Sequence, residues 1–258
     1  MEIVKFTPSG DFCDEKHPYL ITAIKPAIKV ETRVNIFIND KYSFSLEIPQ
    51  IVDLRLKVGK RLTVKELNEC RHASEFGKLY HHALEYTLMR PHSVKEVRDH
   101  LRNRRTRREI LNQQAVKNRE KSAEEKIKYK LSTKELPLYT DQDIEAVISR
   151  LIEKGYLSDE KFATFFVENH NYKKGISKKR IILDLQKKGV SQDTIEKTLA
   201  ASERTDDEEI KKIIAKKSKK YPSEKLIAYL VRQGFDYQQS KDAVHEMDLQ
   251  NSEQNLPW

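Results

Sequence analysis

The chain is short of cysteine, glycine, proline and tryptophan. Of its 258 residues, 2 are Cys, 7 are Gly, 8 are Pro and 1 is Trp. Two cysteines, Cys13 and Cys70, cannot build a disulfide framework, and nothing near them has zinc-ligand spacing. So little glycine and proline excludes a collagenous or linker-dominated chain. No apolar run approaches the roughly 18 residues that span a bilayer, and Met1-Glu2-Ile3-Val4-Lys5 lacks the basic and apolar regions of a signal peptide. The expectation is a cytoplasmic protein with no membrane partner.

What the chain has in quantity is charge. Charged residues make up 34% and hydrophobic residues 38%, with a formal net charge of +9. That balance supports a core built from amphipathic helices. The first 75 residues carry 12 Lys/Arg against 11 Asp/Glu, and the rest carry 37 against 29. The basic excess therefore lies in the second part. A polyanion is the natural partner, because Lys and Arg neutralise phosphates and release counterions. A solvated, lysine-rich helical surface is the plainer alternative.

Three short alternating runs rich in β-branched and aromatic residues read as strands: Leu20–Ile24, Val34–Ile38 and Tyr42–Leu46. Asn39-Asp40-Lys41 between the last two suits a tight hairpin, since Asn and Asp tolerate left-handed backbone angles. Thr63 then opens a helix, with Glu66 three residues on as its capping-box partner. Residues before Pro18 show no clear period.

Beyond Glu75 the period is helical and the chain repeats itself. Lys179-Arg180-Ile181-Ile182-Leu183-Asp184-Leu185-Gln186-Lys187-Lys188-Gly189-Val190 aligns with Glu224-Lys225-Leu226-Ile227-Ala228-Tyr229-Leu230-Val231-Arg232-Gln233-Gly234-Phe235. Gly189 and Gly234 suit helix C′ positions, where a left-handed angle is needed. Ser93–Leu101 is a partial third copy, after which the chain turns irregular before resuming at Thr140. Thr140, Ser158 and Ser191 read as caps bracketed by the staples Tyr139/Ile144, Leu157/Phe162 and Val190/Ile195. A period of this length signals stacked units that bury together what one cannot bury alone.

The fold expected is mainly α: an elongated array of three tandem three-helix repeats behind a small β-rich N-terminal module. The expected division is a β-rich module at 1–75, then repeats at 76–154, 155–204 and 205–250, and a tail at 251–258. The first repeat carries a basic insertion at about 106–138.

The stretch Asp143–Ala163 resembles a typical segment of the RecX family, in which a helix ends Gly-Tyr-Leu and the next opens Asp-Asp/Glu-x-Phe-Ala. Here these are Gly155-Tyr156-Leu157 and Asp159-Glu160-Lys161-Phe162-Ala163. Lys174-Gly175-Ile176-Ser177-Lys178-Lys179-Arg180-Ile181, with Leu185 and Lys188-Gly189-Val190, continues the likeness. It covers residues 76–247, and the front module resembles the β-rich extension of members from low-GC Gram-positive bacteria. The insertion departs from the pattern. The resemblance implies tandem three-helix repeats and a regulator that binds the filament of RecA-type recombinase on single-stranded DNA, with duplex DNA as the other polyanion. It would restrain ATP hydrolysis and strand exchange, and the family has no catalytic motif to carry over. An array with its own stacked core can stand as a monomer, and the residues give no reason to expect a metal or cofactor.

Two basic clusters are the candidate contacts. Arg102, Arg104, Arg105, Arg107 and Arg108 begin a run that carries 11 positive against 4 negative residues between 102 and 130. Arginine's planar fork matches phosphate oxygens, and the stretch is either an arm that orders on DNA or on acidic filament surface or a solvated extension of a helix. The second cluster is Lys173, Lys174, Lys178, Lys179 and Arg180, with Tyr172 beside it as a stacking candidate. Gly175 within it would let the backbone curve around a phosphate, or is a plain loop glycine. Lys211, Lys212, Lys216, Lys217, Lys219 and Lys220 read as surface. Phe162, Phe165 and Phe166, at helical spacing, read as core. No phosphate loop or nucleophile elbow is present, so no enzyme is expected.

Overall fold

A computed structural model of the chain describes residues 5–6, 12–13, 19–27, 32–125, 139–171 and 174–254. The N-terminal part is a set of antiparallel strands. β1 (Lys5–Phe6) pairs with β2 (Phe12–Cys13). β3 (Tyr19–Pro26), β4 (Arg33–Ile38), β5 (Lys41–Glu47) and β6 (Arg61–Leu62) form a second sheet in the order β5-β4-β3-β6. The hairpin turns on Asn39 and Asp40, with φ of 48° and 64°. Those two left-handed angles match the twist of the flanking strands, and Lys41 already belongs to β5.

One face of this sheet buries Tyr19, Ile21, Ile36, Phe44 and Leu46 against Leu67 and Cys70. The latter two lie on α2 (Val64–Met89), which follows the short α1 (Ile48–Asp53). The capping box at Thr63 is present. The Thr63 N–H donates to Glu66 Oε2 at 2.8 Å, and the Glu66 N–H donates to Thr63 Oγ1 at 3.2 Å. Arg33 ties sheet to helix, donating from Nη2 to the Ser45 carbonyl at 2.6 Å and the Ser74 carbonyl at 3.4 Å.

Helices follow to the end of the described chain: α3 (Val94–Glu125), α4 (Asp141–Glu153), α5 (Asp159–Asn169), α6 (Lys178–Lys187), α7 (Gln192–Ala201), α8 (Asp206–Lys217), α9 (Ser223–Arg232) and α10 (Tyr237–Gln254). The expected caps act as caps: Ser158 accepts from the Lys161 N–H and Ser191 from the Thr194 N–H. The Asp143 N–H donates to Thr140 Oγ1 at 3.1 Å. All three staple pairs are buried. Gly189 and Gly234 follow α6 and α9 with φ of 80° and 96°.

Two features differ from the sequence reading. The helix opened by Thr63 and the first helix of the repeats are a single α2. The stretch after Arg105, read as irregular, continues α3 as far as Glu125. No Gly or Pro interrupts residues 93–125, and Arg, Gln, Glu, Lys and Ala there favour helix. The rest of the insertion, 126–138, lies outside the described residues.

The chain forms two compact units, Met1–Glu85 with Arg102–Val147, and Tyr86–Leu101 with Ile148–Trp258. Within the second, Phe162, Phe166, Ile181, Leu185 and Ile195 make one core and Ile210, Ile214, Leu226, Leu230 and Phe235 another. Phe165, read as core with Phe162 and Phe166, is only half-buried and is not part of either core.

Candidate nucleic-acid interface

In the first unit the five arginines of α3 do not form one patch. Helical geometry places positions three and four apart on one side, so Arg104 and Arg108 turn inward with Ala115, while Arg102 and Arg107 are exposed. Arg104 Nη1 lies 3.2 Å from His82 Nε2. Arg108 pairs with Glu75 at 3.4 Å and lays its guanidinium 4.3 Å from the centre of the Tyr139 ring. Burial raises the Tyr139 pKa, with Arg108 and Arg104 opposing.

Arg105 reaches Asp141 at 3.1 Å and Arg102 reaches the same carboxylate at 3.3 Å. The hydrogen bond from Arg105, ahead of the other causes, holds the Asp141 carboxyl below its usual range. Arg107 and Lys117 are exposed, with no ion pair among the described residues. The run is thus partly structural, with Arg104, Arg105 and Arg108 joining α3 to α2 and α4.

The second cluster lies in the second unit. Lys174, Lys179 and Arg180 are exposed and Lys178 is half-buried; Tyr172 and Lys173 lie outside the described residues. Gly175, with φ of 81°, is packed rather than open: a Cβ there would lie 2.6 Å from Ile213 Cγ1 and 2.7 Å from the Glu209 carbonyl. Its lack of a side chain serves the approach of α8. Beside it, Glu209 accepts from Arg204 at 2.8 and 2.9 Å, Lys212 at 2.8 Å and the Ile176 N–H at 2.9 Å.

What positions this cluster is a joint that the chain uses twice. Ser93 Oγ donates to the Lys188 carbonyl at 2.8 Å, and the Val94 N–H donates to Asp159 Oδ1 at 2.8 Å. One repeat on, Ser177 Oγ donates to the Gln233 carbonyl at 2.7 Å, and the Lys178 N–H to Asp206 Oδ1 at 2.8 Å. Each serine caps its own helix and satisfies the last carbonyls of a helix in the next repeat, groups otherwise left without partners. Asp159 and Asp206 behave alike, burial raising both pKa values against the N–H bonds they accept. In the third repeat the matching position is Pro222, with no hydroxyl to offer.

The two joints differ in charge. In the first, Glu96 pairs with Lys188 at 2.6 Å and Arg90 at 3.2 Å. Burial raises the Glu96 pKa, but these bonds outweigh it and the net shift is downward. In the second joint the position of Glu96 is taken by Arg180. It lines a pocket of about 420 Å³ with His170, Asn171, Gly175, Ile176, Asp184, Arg232 and Gln233. Arg232 and His170 were not singled out from the sequence. The signal was there in the aligned repeats, where Ser93-Val94-Lys95-Glu96 faces Ser177-Lys178-Lys179-Arg180.

Among the described residues, no group of three or more His, Cys, Asp or Glu could hold a metal ion, and no helix is long and apolar enough to cross a membrane.

Comparison with known proteins agrees with this architecture. Residues 19–63 match the regulatory protein RecX N-terminal domain, and residues 158–199 match the RecX second three-helix domain. Both matched domains describe the regulatory protein RecX, the family that the chain resembles. It is 28% identical to the regulatory protein RecX of Bacillus subtilis over 241 residues, covering 90% of this chain and 79% of that protein. Against the RecX of Listeria innocua identity is 28% over 269 residues, covering 91% of this chain and 99% of that one. A crystal structure of regulatory protein RecX superposes with a TM-score of 0.60 at 19% identity, over 89% of this chain and 98% of that one. That likeness is one of fold. The RecX N-terminal match coincides with the strands β3 to β6, and the second match with α5 to α7.

Proposed function

We propose that this chain binds the filament that a RecA-type recombinase forms on single-stranded DNA and restrains its ATP turnover and strand exchange. It acts as a monomer in the cytoplasm, in the control of DNA repair and recombination, and carries out no chemistry of its own. The family supports the regulatory role. The observation that carries the DNA contact is that Arg107 and Lys117 on α3, and Lys174 and Lys179 around the start of α6, are exposed without ion pairs among the described residues. Unpaired surface cations of this kind suit a polyphosphate backbone, whose counterions they displace. Arg102, Arg180 and the half-buried Lys178 stand beside them.

The test is single-stranded-DNA-dependent ATP hydrolysis by the cognate recombinase, titrated with this protein at fixed, excess DNA. Turnover is expected to fall well before there is enough protein to coat the strand. Unchanged turnover, or loss only once the DNA is saturated, would leave a basic repeat protein that binds nucleic acid without a recombinase partner.

A further inference from the structure

We propose that the pocket at the second joint, between the start of α6 and the end of α9, is a seat for one phosphodiester of a single-stranded nucleic acid, gripped by Arg180 and Arg232. The inference rests on the reading of the chain as a single-strand binder and names where one phosphate sits.

The argument begins with the comparison of the joints. Both use the same serine hydroxyl, the same helix-start N–H and the same aspartate. At the first, Glu96 stands between two cations and neutralises them. At the second, an arginine replaces that glutamate, and Arg232 occupies the position matching Lys187. Two guanidinium groups thus line one pocket where the first joint has a carboxylate.

The remaining charges do not cancel this. Among the described residues, Asp184 is the one carboxylate lining the pocket. It lies 3.5 Å from Arg180 Nε, 4.0 Å from Lys187 Nζ and 3.8 Å from His170 Nε2. It engages the Nε side of Arg180, and Arg232 Nε donates to its own helix at the Ala228 carbonyl, 3.3 Å away. The terminal Nη groups of both arginines make no hydrogen bond among the described residues. An arginine offers a planar pair of donors to a phosphate, and two of them can hold one phosphate from two sides. His170, stacked 4.2 Å on Phe166, and the Asn171 amide line the same pocket and supply further polar contacts. Like charges gathered without a full set of counterions destabilise a fold slightly, and binding sites are where such arrangements occur.

The experiment measures binding of the full chain to a fluorescent thymidine oligonucleotide at several salt concentrations, without recombinase. Arg180→Glu places the first joint's residue here, beside Asp184, so its thermal unfolding is measured alongside binding. Arg180→Gln, which adds no carboxylate, serves as the second variant. Arg180→Glu is expected to weaken binding roughly tenfold near ~0.1 M salt and to make the log–log salt dependence shallower by about 0.7 for the lost phosphate contact. Arg180→Gln and Arg232→Gln are expected to act in the same direction, and Lys225→Glu, a charge reversal on exposed α9 surface, to change affinity less than about twofold. Equal loss in Lys225→Glu and Arg180→Glu would mean net charge alone is read, and would overturn the seat. An unchanged slope in the Arg180 and Arg232 variants, or no binding by the parent chain, would do the same. Tighter capture of a nucleoside triphosphate than of the oligonucleotide would assign the pocket to a free anion and also overturn it. Failure here leaves the ATP-turnover test of the recombinase reading standing, because that assay scores a different partner.

Discussion

Ser177 Oγ donates a 2.7 Å hydrogen bond to the carbonyl of Gln233, linking residues 56 positions apart through one hydroxyl. The same oxygen accepts from the Arg180 N–H at 3.2 Å. One small side chain therefore caps α6 and closes the end of α9. Ser177→Ala should cost about 1 kcal/mol for the lost cap and about 1–3 kcal/mol for the stranded carbonyl. Ser93→Ala should cost a similar amount at the first joint. Urea midpoints of the two variants check this; a cost no greater than that of an exposed serine would show the joint to be incidental.

Gly155 and Gly175 both have positive φ, 73° and 81°, but only Gly175 has neighbours where a Cβ would go. Gly155→Ala should cost about 1–2 kcal/mol, the left-handed penalty alone. Gly175→Ala should cost clearly more, because the carbonyl of Glu209 and the Ile213 side chain must move. Thermal unfolding of the pair separates backbone strain from packing.

The Arg204–Glu209 pair is the most deeply buried ion pair among the described residues, with side chains 7% and 1% exposed. Burial raises the Glu209 pKa, yet the bonds from Arg204, Lys212 and Ile176 outweigh it, so the net pKa lies below the ordinary 4.5. A carboxyl with a depressed folded pKa contributes stability above its unfolded pKa and loses it as pH falls through the folded value. Glu209→Gln should therefore destabilise at pH 7, by roughly 3 kcal/mol or more, and flatten the loss of stability below about pH 4.5.

Asp206 has the opposite sign. Burial raises its pKa above the ordinary 3.8, so its contribution is present at low pH and is lost as pH rises through the folded value. Asp206→Asn should remove that decline. Denaturant midpoints across pH 3–7 for both variants check the two signs, and parallel curves for parent and variants would refute them.

The α3 arginines should divide into two classes. Arg108→Ala removes the Glu75 ion pair and the Tyr139 contact, and should lower stability by about 1–2 kcal/mol. Arg107→Glu should leave stability within about 0.5 kcal/mol while weakening single-strand binding and the inhibition of ATP turnover. Unfolding and filament assays on both proteins would show whether the classes separate. If Arg107→Glu binds like the parent, the outward face of α3 is not a contact surface.

How far the fold was legible follows from the range of the interactions involved. The Asn39-Asp40 turn, the Thr63–Glu66 capping box, the caps at Ser158 and Ser191 and the glycines after α6 and α9 use residues a few positions apart. Their chemistry is written locally, so the sequence marks these particular helix starts and ends. The extent of α3 was less legible, because a run of like charges suits an arm that orders on a partner as well as a solvated helix extension, and the structure has the helix.

The sequence by itself determined a β-rich front, a train of short capped helices with a repeat, and an excess of positive charge in the later part. Only the tertiary structure decided what that charge faces. Whether an arginine is a strut or a contact depends on carboxylates and rings far along the chain: Glu75 and Tyr139 for Arg108, Asp141 for Arg105. The serine joints likewise exist only once Lys188 and Gln233 arrive beside Ser93 and Ser177. Periodicity places a side chain on a face of its own helix, but the partner across that face is set by packing, and the partner settles whether the charge is spent inside the fold or left for a ligand.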